Sequence, residues 1–199
     1  MDSITRTKKS QKVTIVGAIV DFLLSIFKVI IGVIGNSGAL VADGVHSFSD
    51  LLTDWVTWYA AKQAGEAPDK EHPYGHERFE TVATLGLSIF LAIIGTAIIF
   101  DAMGRLTNAG ALNHESWLIA TAGLSIVSKE ALYWYTVIVA KNINSEMLKA
   151  NAWHHRSDAF SSVVVIIGIV GAINGYYYLD SAAAIIVGIM IIYIGWKLG

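Results

Sequence analysis

The chain has 199 residues, of which 54% are apolar and only 15% charged, and its mean hydropathy is +0.55. A soluble domain carries about 25% charged residues, so this composition points to a polytopic membrane protein and away from disorder, nucleic-acid binding and secreted disulfide scaffolds. The net charge of −2 attracts no polyanion, and with no cysteine any metal must be held by His, Asp, Glu or backbone oxygen.

Crossing a bilayer takes about 20 mostly apolar residues. Six stretches meet this: residues 13–35, 38–63, 78–103, 116–140, 147–172 and 178–198. They predict an all-α membrane protein built as a six-transmembrane-helix bundle over residues 13–199, preceded by a cytosolic segment at 1–12. The prolines, Pro68 and Pro73, both lie between the second and third stretch, so no span carries a proline break. With the N-terminus inside, the inner segments hold Arg6, Lys8, Lys9, Lys12, Lys62, Lys70, Arg78, Lys141, Lys149 and Lys197, and the outer segments only Arg105. That asymmetry places both termini in the cytosol. The first apolar run carries Asp21 and Lys28 and ends in no small-residue cleavage site, so it reads as a retained span.

The second span contains Asp43, His46, Asp50 and Asp54, spaced three, four and four apart, which sets them on one helical face. The fifth contains His154 and Asp158, again four apart. Ionisable groups inside a membrane are costly and by default mark a pathway or a site. Set antiparallel, the two spans bring two imidazoles and two carboxylates together near the midplane. That donor set suits tetrahedral Zn²⁺ most readily. Imidazole also accepts Fe²⁺, Co²⁺, Ni²⁺ and Cu²⁺, so residue type alone does not fix the metal. His155 lies three residues before Asp158 and is helically possible as a ligand too. Asp21 and Lys28 share a face of the first span, and Lys129 and Glu130 lie within the fourth. Ion pairs between spans would lower their burial cost, and Arg156 would snorkel towards the cytosol. For Asp43 the expected role is hydrogen bonding to neighbouring helices.

The stretches Asn36 to Asp50, His72 to His76, Lys129 to Thr136 and Asn151 to Ala159 fall in order along nearly the whole chain. In them the chain resembles the transmembrane domain of the cation diffusion facilitator family. The resemblance implies six transmembrane helices, a homodimer and exchange of a divalent metal ion for protons. It places one metal site on His46, Asp50, His154 and Asp158, and it makes His154 the ligand, with His155 packed beside the site. In the family this quartet goes with zinc, so the resemblance implies a Zn²⁺/H⁺ antiporter, with export of Fe²⁺ or Mn²⁺ as the alternative and Cd²⁺ and Co²⁺ as further cargo. Asp69, His72 and His76 match a loop site that holds a second zinc in some members; a solvated loop whose histidines never meet fits equally. Members typically add a cytosolic ferredoxin-like domain after the sixth helix, and these 199 residues hold no counterpart to it; a shortened sequence and a member without the domain both fit.

The chain is expected to be no enzyme and to need no cofactor, the metal being cargo. A membrane metalloenzyme would keep three protein ligands and an open water position, whereas four ligands converge here and no His-Glu-x-x-His motif exists. A passive divalent channel is the other competing reading. The expected partners are a divalent metal ion, protons, the lipid bilayer and a second copy, with no nucleic acid. The expected location is a bacterial inner membrane or, alternatively, an organellar one.

Overall fold

The computed structural model describes residues 3–64, 78–107 and 110–199. The expected loop site at Asp69, His72 and His76 lies outside them. Six helices follow in chain order: α1 Ser3–Ile34, α2 Gly38–Ala64, α3 Arg78–Thr107, α4 Glu115–Ile143, α5 Glu146–Ile173 and α6 Tyr178–Leu198. No strand occurs among the described residues. The largest difference from the expected boundaries is in α1, which is helical from Ser3 rather than from residue 13. Lipid thickness limits the apolar run, not the helix: Lys8, Lys9, Gln11 and Lys12 are good helix formers and carry the same helix onward.

Burial is inverted relative to a water-soluble bundle. Large apolar side chains such as Ile19, Phe27, Val82, Ile93, Phe100 and Ile167 face outward, while Lys28, Asp43, Ser125, Lys129 and Ser162 are at most 1% exposed. Outward Leu, Ile and Phe are favourable only in an apolar surround. Among the described residues, four helices are long and apolar enough to cross a membrane, within Lys8–Ile34, Arg78–Thr107, Glu146–Ile173 and Tyr178–Leu198. In the other two, charged residues interrupt the apolar run: Asp43, Asp50, Asp54 and Lys62 on α2, Lys129 and Glu130 on α4.

α2 packs against α1, α3, α5 and α6, and so lies at the centre of the bundle. Its start is fixed from across the bundle. Asp180, in the first turn of α6, accepts hydrogen bonds from Gly38 N at 2.7 Å, Ala39 N at 3.3 Å and the Ser37 hydroxyl at 2.5 Å. Ser37 Oγ in turn accepts from Leu40 N at 3.2 Å. These bonds satisfy amides that α2 leaves unpaired at its N-terminus. α5 is capped locally, by Ser145 accepting from Leu148 N at 3.3 Å. α3 and α6 approach closely at Gly95 and Gly188, where a Cβ on Gly95 would stand 2.7 Å from Gly188 O. Only glycine permits backbones to meet that closely, a common device of helix packing in lipid.

Between α1, α2, α4 and α5 lies a polar core. Lys28 Nζ is 2.8 Å from Asp43 Oδ2 and donates to Ser47 and Ser162 Oγ at 3.2 and 3.3 Å. Ser161 and Ser162 donate to Asp43 at 3.1 and 2.9 Å, and Ser125 bonds to Ser162 at 3.1 Å. Asp43 therefore does bond to neighbouring helices, as its position on α2 led us to expect.

Breaking such a pair by removing one member strands the other. Lys28→Met should lower stability by about 3 kcal/mol, read as a lower melting temperature in detergent. Adding Asp43→Asn should recover most of the loss. Equal melting of wild type and Lys28→Met would show that the pair holds nothing together.

Candidate metal centre

α2 presents His46, Asp50 and Asp54 one turn apart, and α5 presents His154 and Asp158 one turn apart. The two helices are neighbours. His46, Asp50 and Asp158 each offer a ligand atom, all within 4.8 Å of one another, and all three are buried or nearly so. His46 Nε2 stands 3.8 Å from Asp50 Oδ2, and His154 Nε2 stands 3.8 Å from Asp158 Oδ2. Both gaps are too long for hydrogen bonds. They are close to the spacing of about 3.3 Å that two ligands of a tetrahedral zinc adopt at Zn–ligand distances near 2 Å. Asp50 Oδ2 and His46 Nδ1 are buried and have no hydrogen-bond partner. Buried polar atoms left without partners are uncommon and call for a ligand or water.

His154 stands at the edge of this cluster. Its side chain is 43% exposed, against 4% for His46 and 6% for Asp158. It meets the other three at a cavity of about 420 Å³, which runs between α2, α5 and α6 as far as Lys197 in the last turn of α6. Thr53, Asp54 and Tyr193 also line it. A second cavity of about 430 Å³ reaches Asp50, Asp54 and His154 from the α1 side, past Asp21, Trp55 and Trp58. Both cavities lie towards the end of the bundle where α2 finishes and α5 starts. Beyond His46 along α2 stands the buried Lys28–Asp43 pair.

His155 points elsewhere. It is 4% exposed, packs against α1 at Gly17, and sets Nδ1 3.6 Å from Asp21 Oδ2. With Asp21 and Asp158 it makes a second three-residue cluster. Asp158 belongs to both clusters.

Lys129, for which the sequence names no partner, also reaches this cluster. Its ammonium is 2.7 Å from Asp21 Oδ1 and 2.7 Å from Asp158 Oδ2, and its side chain is 1% exposed. A charge within an apolar run was the signal available in the sequence; which carboxylates it would meet depended on helix neighbours. Asp21 and Lys28, on one face of α1, do not pair with each other: Asp21 meets Lys129 of α4 and Lys28 meets Asp43 of α2. Arg156 lies with its guanidinium 4.6 Å from the Tyr133 ring and 3.9 Å from Glu130.

A sequence model of the cation efflux transmembrane domain matches residues 14–199. The chain belongs to the cation diffusion facilitator family. It is 38% identical to an uncharacterised transporter of Methanocaldococcus jannaschii, over 92% of this chain and 65% of that protein. It is 36% identical to metal tolerance protein C1 of Arabidopsis thaliana, over 96% of this chain and 44% of the plant protein. With the manganese efflux system protein MneP of Bacillus subtilis the identity is 32%, over 97% of this chain and 67% of the relative. The chain thus spans about half to two thirds of the length of these curated relatives.

The burial difference between the two α5 residues gives a test of their structural weight. Asp158→Asn removes one of the two carboxylates beside Lys129 and should lower metal-free stability by about 2 kcal/mol. His154→Ala, half-exposed on a cavity wall, should change it by less than about 0.5 kcal/mol. Thermal unfolding in detergent with chelator reads both, and equal effects would contradict the geometry.

Proposed function

We propose that the chain is the transport domain of a divalent metal exporter that binds its cargo at His46, Asp50, His154 and Asp158 and releases it by alternating access. The observation that carries this is the convergence of His46, Asp50 and Asp158, with Asp50 Oδ2 and His46 Nδ1 partnerless, at a cavity that His154 shares. Membership of the cation diffusion facilitator family supports the same reading. In this proposal all six helices span the membrane with both termini cytosolic, and the half-exposed His154 turns its imidazole inward to complete the set. The cavities on the α2 C-terminal side are the cytosolic approach, and the Lys28–Asp43 core closes the outer half. A second copy of the chain makes the homodimer of the family.

The preferred cargo is Zn²⁺, since two imidazoles and two carboxylates form a tetrahedral borderline-soft donor set. A second reading, Mn²⁺, is favoured by the relationship to MneP, a protein named for manganese efflux, and by the added oxygen donors of Asp54 and Thr53 on the cavity wall. Ligand softness separates the two.

Exchange for protons follows from the donor chemistry. A metal-binding imidazole must be deprotonated, and histidine changes charge near pH 6.5. With zinc bound, two carboxylates balance the ion. With zinc gone, two imidazolium groups balance the same carboxylates. Only an empty, deprotonated site carries two unmatched charges, which a low-dielectric interior disfavours. Metal and protons therefore travel in opposite directions.

Purified chain in proteoliposomes tests the whole reading. Zn²⁺ should move, acid on the release side should speed it, and a pH-sensitive dye should report protons moving the other way. Asp50→Ala should abolish flux while the protein still inserts, because insertion is driven by the apolar spans. Zinc flux that ignores an imposed pH gradient would leave a passive channel instead. In a separate competition series, His46→Asp should shift preference from Zn²⁺ towards Mn²⁺ and Fe²⁺. An unchanged ranking would mean that geometry, not ligand type, selects the metal.

A further inference from the structure

The site contains a cation that cannot leave. Lys129 Nζ lies midway between two carboxylates, 2.7 Å from Asp21 Oδ1 and 2.7 Å from Asp158 Oδ2. The oxygen it holds on Asp158, Oδ2, is the same atom that stands 3.8 Å from His154 Nε2. The lysine and the cargo ion thus need one oxygen. Asp21 is too far round the bundle to join His46 and Asp50 in their cluster, but it belongs to the neighbouring one with His155 and Asp158. Glu130, the next residue of α4, faces the other way, towards Arg156 and Trp134.

We propose that Lys129 is a tethered counter-cation that competes with the metal for Asp158, with Asp21 as the partner that retains it when metal binds. This rests on the reading of His46, Asp50, His154 and Asp158 as the cargo site. Without metal, the ammonium bridges Asp21 and Asp158 and keeps the latter from standing as an unpaired buried charge. When metal arrives, Asp158 exchanges its ammonium for the ion, and Lys129 keeps Asp21. No covalent bond changes and the lysine keeps its proton. Charge balances in the bound state: the metal's two positive charges against Asp50 and Asp158, and Lys129 against Asp21.

Two consequences follow. Competition weakens binding at a site that must also release, because the metal has to displace an ammonium already in contact. The exchange also alters the helix ties: the α4–α5 pair opens while the α1–α4 pair remains. Lys129 is in this view a positioning residue that sets affinity through Asp158, without itself touching the cargo.

The sign of the mutant effect separates this role from a merely structural one. Calorimetric titration of the purified full chain with Zn²⁺ should show Lys129→Met binding about tenfold or more tightly than wild type, the low end of what a close buried charge pair carries. Lys129→Arg, which keeps a cation, should stay near wild type. Asp21→Asn should bind more weakly, since the ammonium then has only Asp158. Asp21→Asn added to Lys129→Met should have no effect, and this double variant leaves no unpaired lysine or Asp21 charge if the single variant folds poorly. Weaker or unchanged binding by both Lys129→Met and the double variant would overturn the proposal. So would a loss caused by Asp21→Asn in the Lys129→Met background, which would make Asp21 a metal ligand. If wild type binds no Zn²⁺, or His46→Ala binds it as wild type does, the cargo-site reading itself falls and takes this inference with it. If His46→Ala destroys binding and neither Lys129→Met nor the double variant tightens it, only the role of Lys129 falls.

Discussion

The two buried lysines each find their opposite charge on another helix, and those pairs constrain how the helices meet. Lys129 joins α4 to Asp21 of α1 and Asp158 of α5. Lys28 joins α1 to Asp43 of α2. An apolar surround supplies no water to solvate a stray ammonium or carboxylate, and apolar contacts between helices are no better than contacts with lipid tails. The ion pairs and the close approaches of glycine therefore specify which helices meet. α2 receives a further constraint from Asp180, which caps its first turn from α6. The position of His46 and Asp50 follows from these attachments, with α2 held in its first two turns just ahead of them.

The apolar runs made the helices legible in the sequence, because a span must repeat its hydrophobicity over some 20 residues. The start of α2 at Gly38 coincides with the start of its apolar run, whereas α1 begins at Ser3, well before its own. A hydropathy argument sees the part of a helix that meets lipid and is blind to a polar extension of it. The separations within His46–Asp50 and His154–Asp158 were equally legible, since a helix turns 3.6 residues at a time. Helical spacing could not choose between His154 and His155, which project about 100° apart. The neighbours make the difference: His154 opens on the cavity shared with α2 and α6, and His155 packs on Gly17 of α1. Partners of Asp21, Lys28 and Lys129 were not legible at all, because sequence spacing within α1 cannot say which helix lies against which face.

The arrangement also separates two kinds of buried charge. The Lys28–Asp43 pair is closed, with serine hydroxyls filling its remaining hydrogen-bonding positions. The cluster at His46, Asp50 and Asp158 is open, with partnerless atoms and cavities of about 420 and 430 Å³ reaching it. A satisfied network stabilises and specifies a fold; an unsatisfied one retains the capacity to bind. In the proposed cycle the closed pair blocks one route while the open cluster accepts cargo from the other, and alternating access requires that asymmetry to reverse.

The central claim is that α2 and α5 together hold the transported ion. Anomalous diffraction at the zinc edge, on crystals of the purified chain grown with Zn²⁺, tests it most directly. The account predicts a peak among His46, Asp50, His154 and Asp158, with imidazole nitrogens about 2.0–2.1 Å from the ion. A peak confined to the Asp21–His155 side, or no peak between α2 and α5 while zinc is bound elsewhere in the chain, would contradict it.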